Sequence, residues 1–401
     1  MKQKSILFLT TQLPYPPVSG GVIKTYKLLQ FFSEEYELHL ISLLKNDDEN
    51  HAEAFLKQIT KLFSHYFFPL NKPRSTGNLI KSYFKQMPLN VYRNFSPQLK
   101  DEVHKRAEGK DILFIDHFEM FQYVPEHFSG KIIFHEHNAE FLLWQRYAEL
   151  LPLDTRKIAV QIEANRILKK ELQYCRKADL IFAAPNDIKA LTEKGADKNK
   201  FRPTYHLGND NLLTLPDIEY EHTKPKLLFL GTLSWEANKK SVIWFLENCW
   251  SAILQHKPET TFEIVGKNAD EELKNIVNEH SNVFLRGFVE NLEEVMQDTR
   301  VMISPLVFGS GIKVKNLDAL YRGIPLVTTG VGAEGLKLES NENCLIADNS
   351  EDFTQKVIML LEKQPLWEKI KTNSRALARK EYTWHNELHK MKKEMECFFG
   401  S

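Results

Sequence analysis

Short apolar runs rich in β-branched and aromatic residues alternate along this chain with longer segments of helical period. In the first half the runs are Ile6–Thr10, Leu38–Leu43, Ile112–Ile115 and Ile132–His135; in the second they are Leu227–Leu230, Thr261–Val265, Val283–Arg286, Val301–Ser304 and Leu326–Thr329. Strands that read as continuous apolar runs are buried on both faces, which is the condition of parallel sheets joined by crossover helices. The alternation therefore predicts an α/β chain of two Rossmann-like domains with parallel sheets. At 401 residues the chain is long enough for two large cores.

Between the halves, Ile158, Ile162, Leu168, Leu172 and Cys175 share one face of a long amphipathic helix that leads into a further strand at Asp179–Ala183. The stretch Asn211–Pro225 has two prolines, several acidic residues and little periodicity, so the linker and domain boundary are expected there. Ligands of open parallel sheets bind beyond the carboxyl ends of the strands, and two such domains facing each other would make a cleft.

Charge narrows the ligand. With 53 basic and 53 acidic residues the chain has no net field to hold a polyanion, which argues against sequence-independent nucleic-acid binding. Its four cysteines lie far apart with no C-x-x-C pair, so neither a disulfide framework nor a zinc ribbon is indicated. The apolar run Ile6–Leu9 is too short for a signal-peptide core and no stretch approaches a membrane span, so a cytoplasmic protein is expected.

Two glycine-rich turns follow strands. Gly20 and Gly21 precede a helical run from about Lys24 to Ser33, where the backbone can approach a ligand and free amides favour an anion; the alternative is a tight packing turn. The second turn, FGSGIKVK, follows Val301–Ser304 and opens a helix that Gly323 ends. Gly309, Ser310 and Gly311 would line the helix N-terminus. Lys313 would stand in the first helical turn against the macrodipole, a conflict that a bound diphosphate relieves. The third glycine of a dinucleotide fingerprint is replaced by Val314 and no P-loop is present, which disfavours nicotinamide and P-loop chemistry.

The stretch Gly309–Leu336, GSGIKVKNLDALYRGIPLVTTGVGAEGL, resembles the donor-binding core of family 4 glycosyltransferases (glycosyl transferases group 1) of the GT-B fold. PYPPVSGGVIKTYKLLQFF, HEHNAEFLLWQRYAEL, the ADLIFAAPND segment, FLGTLSWEANKKSVIWFLENCW and FEIVGKN with VFLRGFVENLEEV agree in order, so the resemblance spans nearly the whole chain. It implies retaining transfer of a hexose-type sugar from a nucleotide-diphosphate sugar to a glycan or lipid-linked acceptor, in polysaccharide or glycolipid synthesis, with no cofactor and no catalytic metal. The C-terminal run Trp384–Phe399 resembles the family's final helix, which returns to the first domain. The expected domains are 1–215 with 382–401 on the acceptor side and 222–381 on the donor side.

Carried over by resemblance, His137 and Lys313 are the expected catalytic residues, and Asn138 is expected on the acceptor side. Gly20, Gly21, Gly231, Lys239, Gly266, Gly309, Ser310, Gly311 and Asp318 are expected to bind the donor. Of the family's two glutamates, the second aligns on Asp318, suited to a ribose diol, and the first falls on Ser310. The arginine that many members carry after the first glycine of this domain is replaced here by Thr232; Lys239 or Lys240 could supply the later lysine. His135 and His137 also suggest a metal pair, but no third ligand is evident from the sequence. Lys72–Lys100 mixes basic and aromatic residues; it reads as amphipathic helices with apolar sides in the core, or as a peripheral contact with the inner face of the membrane. Two other functions remain open: a GT-B sugar-nucleotide epimerase, and a non-catalytic binding module, the latter suggested by the missing glutamate and arginine.

Overall fold

The computed structural model describes residues 3–17, 20–45, 48–309 and 312–400. The chain divides into two compact units, Met1–His206 with Leu388–Ser401, and Leu207–Glu387.

The first unit is built on a seven-stranded parallel sheet, order β3-β2-β1-β4-β5-β6-β7. Its strands are β1 (Ser5–Thr10), β2 (Glu37–Leu44), β3 (Ser64–Pro69), β4 (Ile112–Asp116), β5 (Lys131–His135), β6 (Leu180–Ala183) and β7 (Phe201–Pro203). All side chains of β1 and β4 are buried, as expected for strands covered on both faces. Phe8 stacks on Phe114 across this pair at 4.8 Å. The strand order reverses between β1 and β4, a switch point that opens a crevice at their carboxyl ends. Register brings Asp116, the last residue of β4, opposite His135, the last of β5.

The second unit has a six-stranded parallel sheet, order β10-β9-β8-β11-β12-β13. Its strands are β8 (Lys224–Leu230), β9 (Thr261–Val265), β10 (Val283–Gly287), β11 (Thr299–Ser304), β12 (Leu326–Thr328) and β13 (Leu345–Ile346). Here the order reverses between β8 and β11. The helix Val314–Arg322 ends at Gly323, whose φ of 77° is left-handed and whose α-carbon packs so closely on Arg375 that a Cβ would lie 2.7 Å from its Cδ.

The expected linker is instead a fixed part of the second unit. Arg375 donates to the carbonyls of Leu213 (2.9 Å) and Leu215 (3.1 Å) and pairs with Asp217 (2.6 Å). Arg322 donates to Pro216 O at 2.8 Å, and Lys371 to Ile218 O at 3.0 Å. Cations buried beneath an irregular segment satisfy its carbonyls, so the lack of periodicity there does not make it mobile. Contacts accordingly move the first boundary back to 206/207, and the second falls at 387/388, inside the final helix Trp384–Gly400.

The Lys72–Lys100 region forms short helices. Val91 in Leu89–Arg93 and Leu99 in Pro97–Ala107 are buried, as an amphipathic reading expects. Thr76–Phe84 departs from it, since Ile80, Tyr83 and Phe84 are exposed, Phe84 by 85%. Among the described residues no helix is long and apolar enough to cross a membrane.

Candidate functional site

Each unit gathers polar side chains at the carboxyl ends of its strands. In the first unit the centre is Asp116, fully buried at the switch point. Its Oδ1 lies 2.7 Å from His135 Nδ1 and 2.7 Å from His137 Nε2. Its Oδ2 accepts from Thr10 Oγ1 at the end of β1 (3.0 Å) and from Thr25 Oγ1 in the helix Gly20–Glu35 (2.7 Å). His117 Nδ1 lies 3.0 Å from the same oxygen, and its ring stacks on His137 with centroids 3.7 Å apart. His117 itself sits at φ 80°, a left-handed backbone rare for a non-glycine residue. The arrangement reads as one carboxylate holding two rings, His135 and His137, by hydrogen bonds.

Electrostatics assign the protonation states. Burial disfavours the charged form of Asp116, but the neighbouring His117 and the hydrogen bonds from the imidazoles hold the carboxyl well below the usual range. His137 is held well below the ordinary imidazole value by burial and then by His117. His135 is pushed down to about 3 by burial and the Lys24 ammonium. His117 is raised, since Asp116 outweighs its burial. A neutral His137 that donates from Nε2 to Asp116 carries its lone pair on Nδ1. That atom faces Gly21, where a Cβ would stand 3.5 Å from it. His206 closes the group with Nε2 3.3 Å from the His137 carbonyl.

The third partner that the sequence left unseen for His135 and His137 is therefore Asp116, and these three residues could together hold a metal ion. Both imidazoles meet one carboxylate oxygen at 2.7 Å, however, whereas ligands of a tetrahedral ion at roughly 2.0–2.1 Å would stand about 3.3 Å apart. In this geometry the atoms are hydrogen-bonded to one another. Asn138 is exposed beside the centre.

In the second unit, Gly231 and Gly266 follow β8 and β9. A Cβ on Gly266 would fall 1.7 Å from the Gly231 carbonyl oxygen, and one on Gly231 would fall 2.7 Å from Asn238 Nδ2, so both glycines are required by close packing of these loops. Asn238 donates to Thr232 O (3.0 Å) and accepts from Lys315 Nζ (2.8 Å). The Lys315 ammonium also lies over the Phe229 ring, 4.0 Å from its centroid. Burial, and then the neighbouring Lys313, push the Lys315 amine down to about 7. Lys315 was absent from the expected site because it reads as a solvated helix residue; only the fold turns it toward the end of β8.

Lys313 is buried, but it caps the helix from an extended backbone (φ −92°, ψ 94°), with the helix starting at Val314. The expected position in the first helical turn is thus one residue too far in, and the dipole conflict is correspondingly smaller. Gly309 has a φ of 151°, and its α-carbon lies under the Lys313 side chain, whose Cε would be 3.6 Å from an added Cβ. Ser310 and Gly311 lie outside the described residues. Asp318 is pushed up to about 7 by burial; its Oδ1 accepts from Asn209 N–H at 3.3 Å, and Gly208 leaves room for it, since a Cβ there would lie 2.3 Å from Oδ1. It makes no ion pair with Lys315 or Arg322; Arg322 pairs with Glu293 at 2.7 Å. Lys239 is engaged by Asp270 at 2.6 Å and by Glu272, which raise its pKa. Lys240 pairs with Glu236 at 3.4 Å.

Residues 224–363 match the family model of glycosyl transferases group 1. An uncharacterized 44.6 kDa protein from a cps region of Klebsiella pneumoniae is 23% identical over 376 residues, covering 88% of this chain and 90% of that one. The structure of HepE from Anabaena in complex with UDP and glucose aligns over 98% of this chain and 100% of its own, with a TM-score of 0.67 and 14% identity. Sucrose-phosphate synthase from Thermosynechococcus elongatus aligns over 99% and 100% with a TM-score of 0.68 and 14% identity. WaaG, a glycosyltransferase involved in lipopolysaccharide biosynthesis, aligns over 99% and 100% with a TM-score of 0.61 and 12% identity. The chain is a GT-B-fold protein with two parallel-sheet α/β domains, and the match to glycosyl transferases group 1 falls in the second of them.

Proposed function

We propose that the protein is a retaining glycosyltransferase that moves a hexose-type sugar from a nucleotide-diphosphate sugar to a glycan or lipid-linked acceptor, in polysaccharide or glycolipid synthesis. The observation that carries this reading is the pair of lysines at the β8/β11 switch point. Lys313 is buried, and Lys315 is placed near enough that one charge depresses the other. Cations held close together at the ends of parallel strands favour an anion beside them, and a diphosphate is the anion that a glycosyltransferase module brings.

In the reaction, the bond from the anomeric carbon to the diphosphate breaks with its electrons on the diphosphate oxygen, the acceptor hydroxyl oxygen bonds to that carbon, and the hydroxyl proton passes to the departing diphosphate. Lys313 and Lys315 stabilise the charge that grows on the leaving group, which supports catalysis without a metal or cofactor. Asp116 fixes His137 with its Nδ1 lone pair free to accept from a sugar hydroxyl. Asp318 accepts from the ribose diol, and the glycines at 20, 21, 231, 266 and 309 let backbone approach the donor. Asn138, exposed beside His137, contacts the acceptor.

We place the protein in the cytoplasm, with peripheral contact to the inner membrane face through the helix Thr76–Phe84. Its exposed Ile80, Tyr83 and Phe84 stand beside exposed Arg74, Lys81 and Lys85, a combination suited to anionic headgroups. Sedimentation with anionic vesicles, lost in Phe84→Asp, tests that contact.

The transferase reading is tested by melting curves against UDP, GDP, ADP and CMP. A ligand at about a hundred times its dissociation constant stabilises by roughly 2.7 kcal/mol, or about 5–10 °C for a domain of this size. One nucleoside diphosphate should give that shift, and Lys313→Ala should abolish it. No shift with any nucleotide would sink the reading.

A further inference from the structure

A cavity of about 380 Å³ opens beside the ends of β1 and β2, in the size range of small-ligand sites. Gln12, Tyr15, Pro16, Val22, Lys45 and His51 are among its lining residues. Asp48 builds its floor: Oδ2 accepts the backbone N–H of Leu13 at 3.3 Å and of Lys45 at 2.9 Å, tying the segment after β1 to the segment after β2. The Asp48 charge is therefore committed to backbone amides.

The Tyr15 ring is set by two neighbours, Tyr26 at 6.1 Å and His51 at 6.5 Å. An aromatic ring held in a cavity wall offers the C–H face of a pyranose a negative quadrupole surface. Lys45 is half-buried, and its ammonium makes no hydrogen bond or ion pair among the described residues. Glu119 and Asp48 act on it only at longer range, while burial and Arg93 disfavour its charge. A desolvated cation with no direct ion pair is stabilised further by an anion that enters beside it.

The cavity and the histidine centre share the helix Gly20–Glu35. Val22 lines the cavity, and Gly21, one residue earlier in the same helix, faces His137 Nδ1.

We propose that this cavity is the acceptor subsite and that it takes a saccharide bearing a negative charge, a phosphate or a carboxylate, paired with Lys45. The assignment to the acceptor rests on the transferase reading, but the binding itself does not, and it is measured without nucleotide.

Calorimetric titration of the full chain with glucose 1-phosphate, glucuronate and methyl α-glucoside at millimolar concentrations tests it. At least one of the two anions should bind about tenfold more tightly than the neutral glycoside, and which one does tells phosphate from carboxylate. Lys45→Gln should remove that tenfold preference and leave the glycoside unchanged; Lys45→Arg should keep it; Lys313→Ala should not alter it. Binding of neither anion, or equal affinity in Lys45→Gln, overturns the proposal. Loss of the anions in Lys313→Ala alone overturns it as well, because the phosphate would then sit in the second unit. Anion binding with no transferase activity would leave the cavity a saccharide site and count against the transferase reading only.

Discussion

Asp116 holds His137 through the same oxygen, Oδ1, that it presents to His135, each at 2.7 Å. One ionised acceptor thus fixes two neutral rings, and the proton on His137 Nε2 is what keeps Nδ1 bare. Asparagine at 116 offers a weaker acceptor and can turn an N–H toward the ring, favouring the other tautomer. Asp116→Asn is therefore expected to lower kcat by about 10²–10⁴ and to leave nucleotide affinity within a few fold. Steady-state kinetics beside nucleotide titration check it; an equal loss in both would make Asp116 a folding residue only.

Lys315 gives the donor site a pH signature. Its amine is pushed down to about 7 in the unliganded protein, and a diphosphate beside it must raise that value. Binding then takes up a proton, so affinity falls as pH rises above about 7, by up to tenfold per unit. Lys315→Gln should bind more weakly at pH 6 and should lose this component of the pH dependence. Nucleotide titrations from pH 6 to 9 on both proteins decide it, and parallel curves would exclude Lys315 from the diphosphate.

Gly266→Ala tests whether the loops after β8 and β9 can separate. The added methyl would sit 1.7 Å from the Gly231 carbonyl oxygen, which is backbone and cannot swing aside like a side chain. Overpacking of this kind costs about 1–3 kcal/mol, so melting should fall by roughly 2–10 °C. An unchanged melting point would show that the loops part freely.

Much of this was legible beforehand, and the omissions have physical causes. The double-sheet plan followed from buried parallel strands, whose apolar runs are continuous. β3, β7 and β13 escaped notice: β3 is a half-exposed edge with the mixed run SHYFFP, and the other two span only three and two residues. His137, Lys313 and Asp318 were candidates because each stands in a local motif. Asp116, Thr10 and Thr25 could not be found that way, since they meet only when β1, β4 and the Gly20–Glu35 helix assemble, about a hundred residues apart in sequence. A charged residue closing an otherwise apolar strand, Ile112–Ile115 followed by Asp116, was the one available signal. Lys239 shows the converse, a residue singled out from a motif whose ammonium two carboxylates already occupy.

Asp318 separates a ribose contact from a structural role. Its carboxyl is raised to about 7 by burial, above the ordinary aspartate value, so the folded state binds the proton more tightly than the unfolded chain. Stability from this group is full below about pH 4 and is lost as pH rises through about 7. Asp318→Asn keeps an oxygen for the Asn209 N–H and removes that loss, so the variant should melt no lower than wild type at pH 8. Its affinity for the preferred ribonucleotide should nonetheless fall about tenfold, because a neutral amide accepts less strongly from a diol than a carboxylate does. Titration with the matching 2′-deoxynucleotide completes the test: wild type should discriminate against it and the variant should not. If both proteins bind the two nucleotides equally, Asp318 serves only to fill the space that Gly208 leaves.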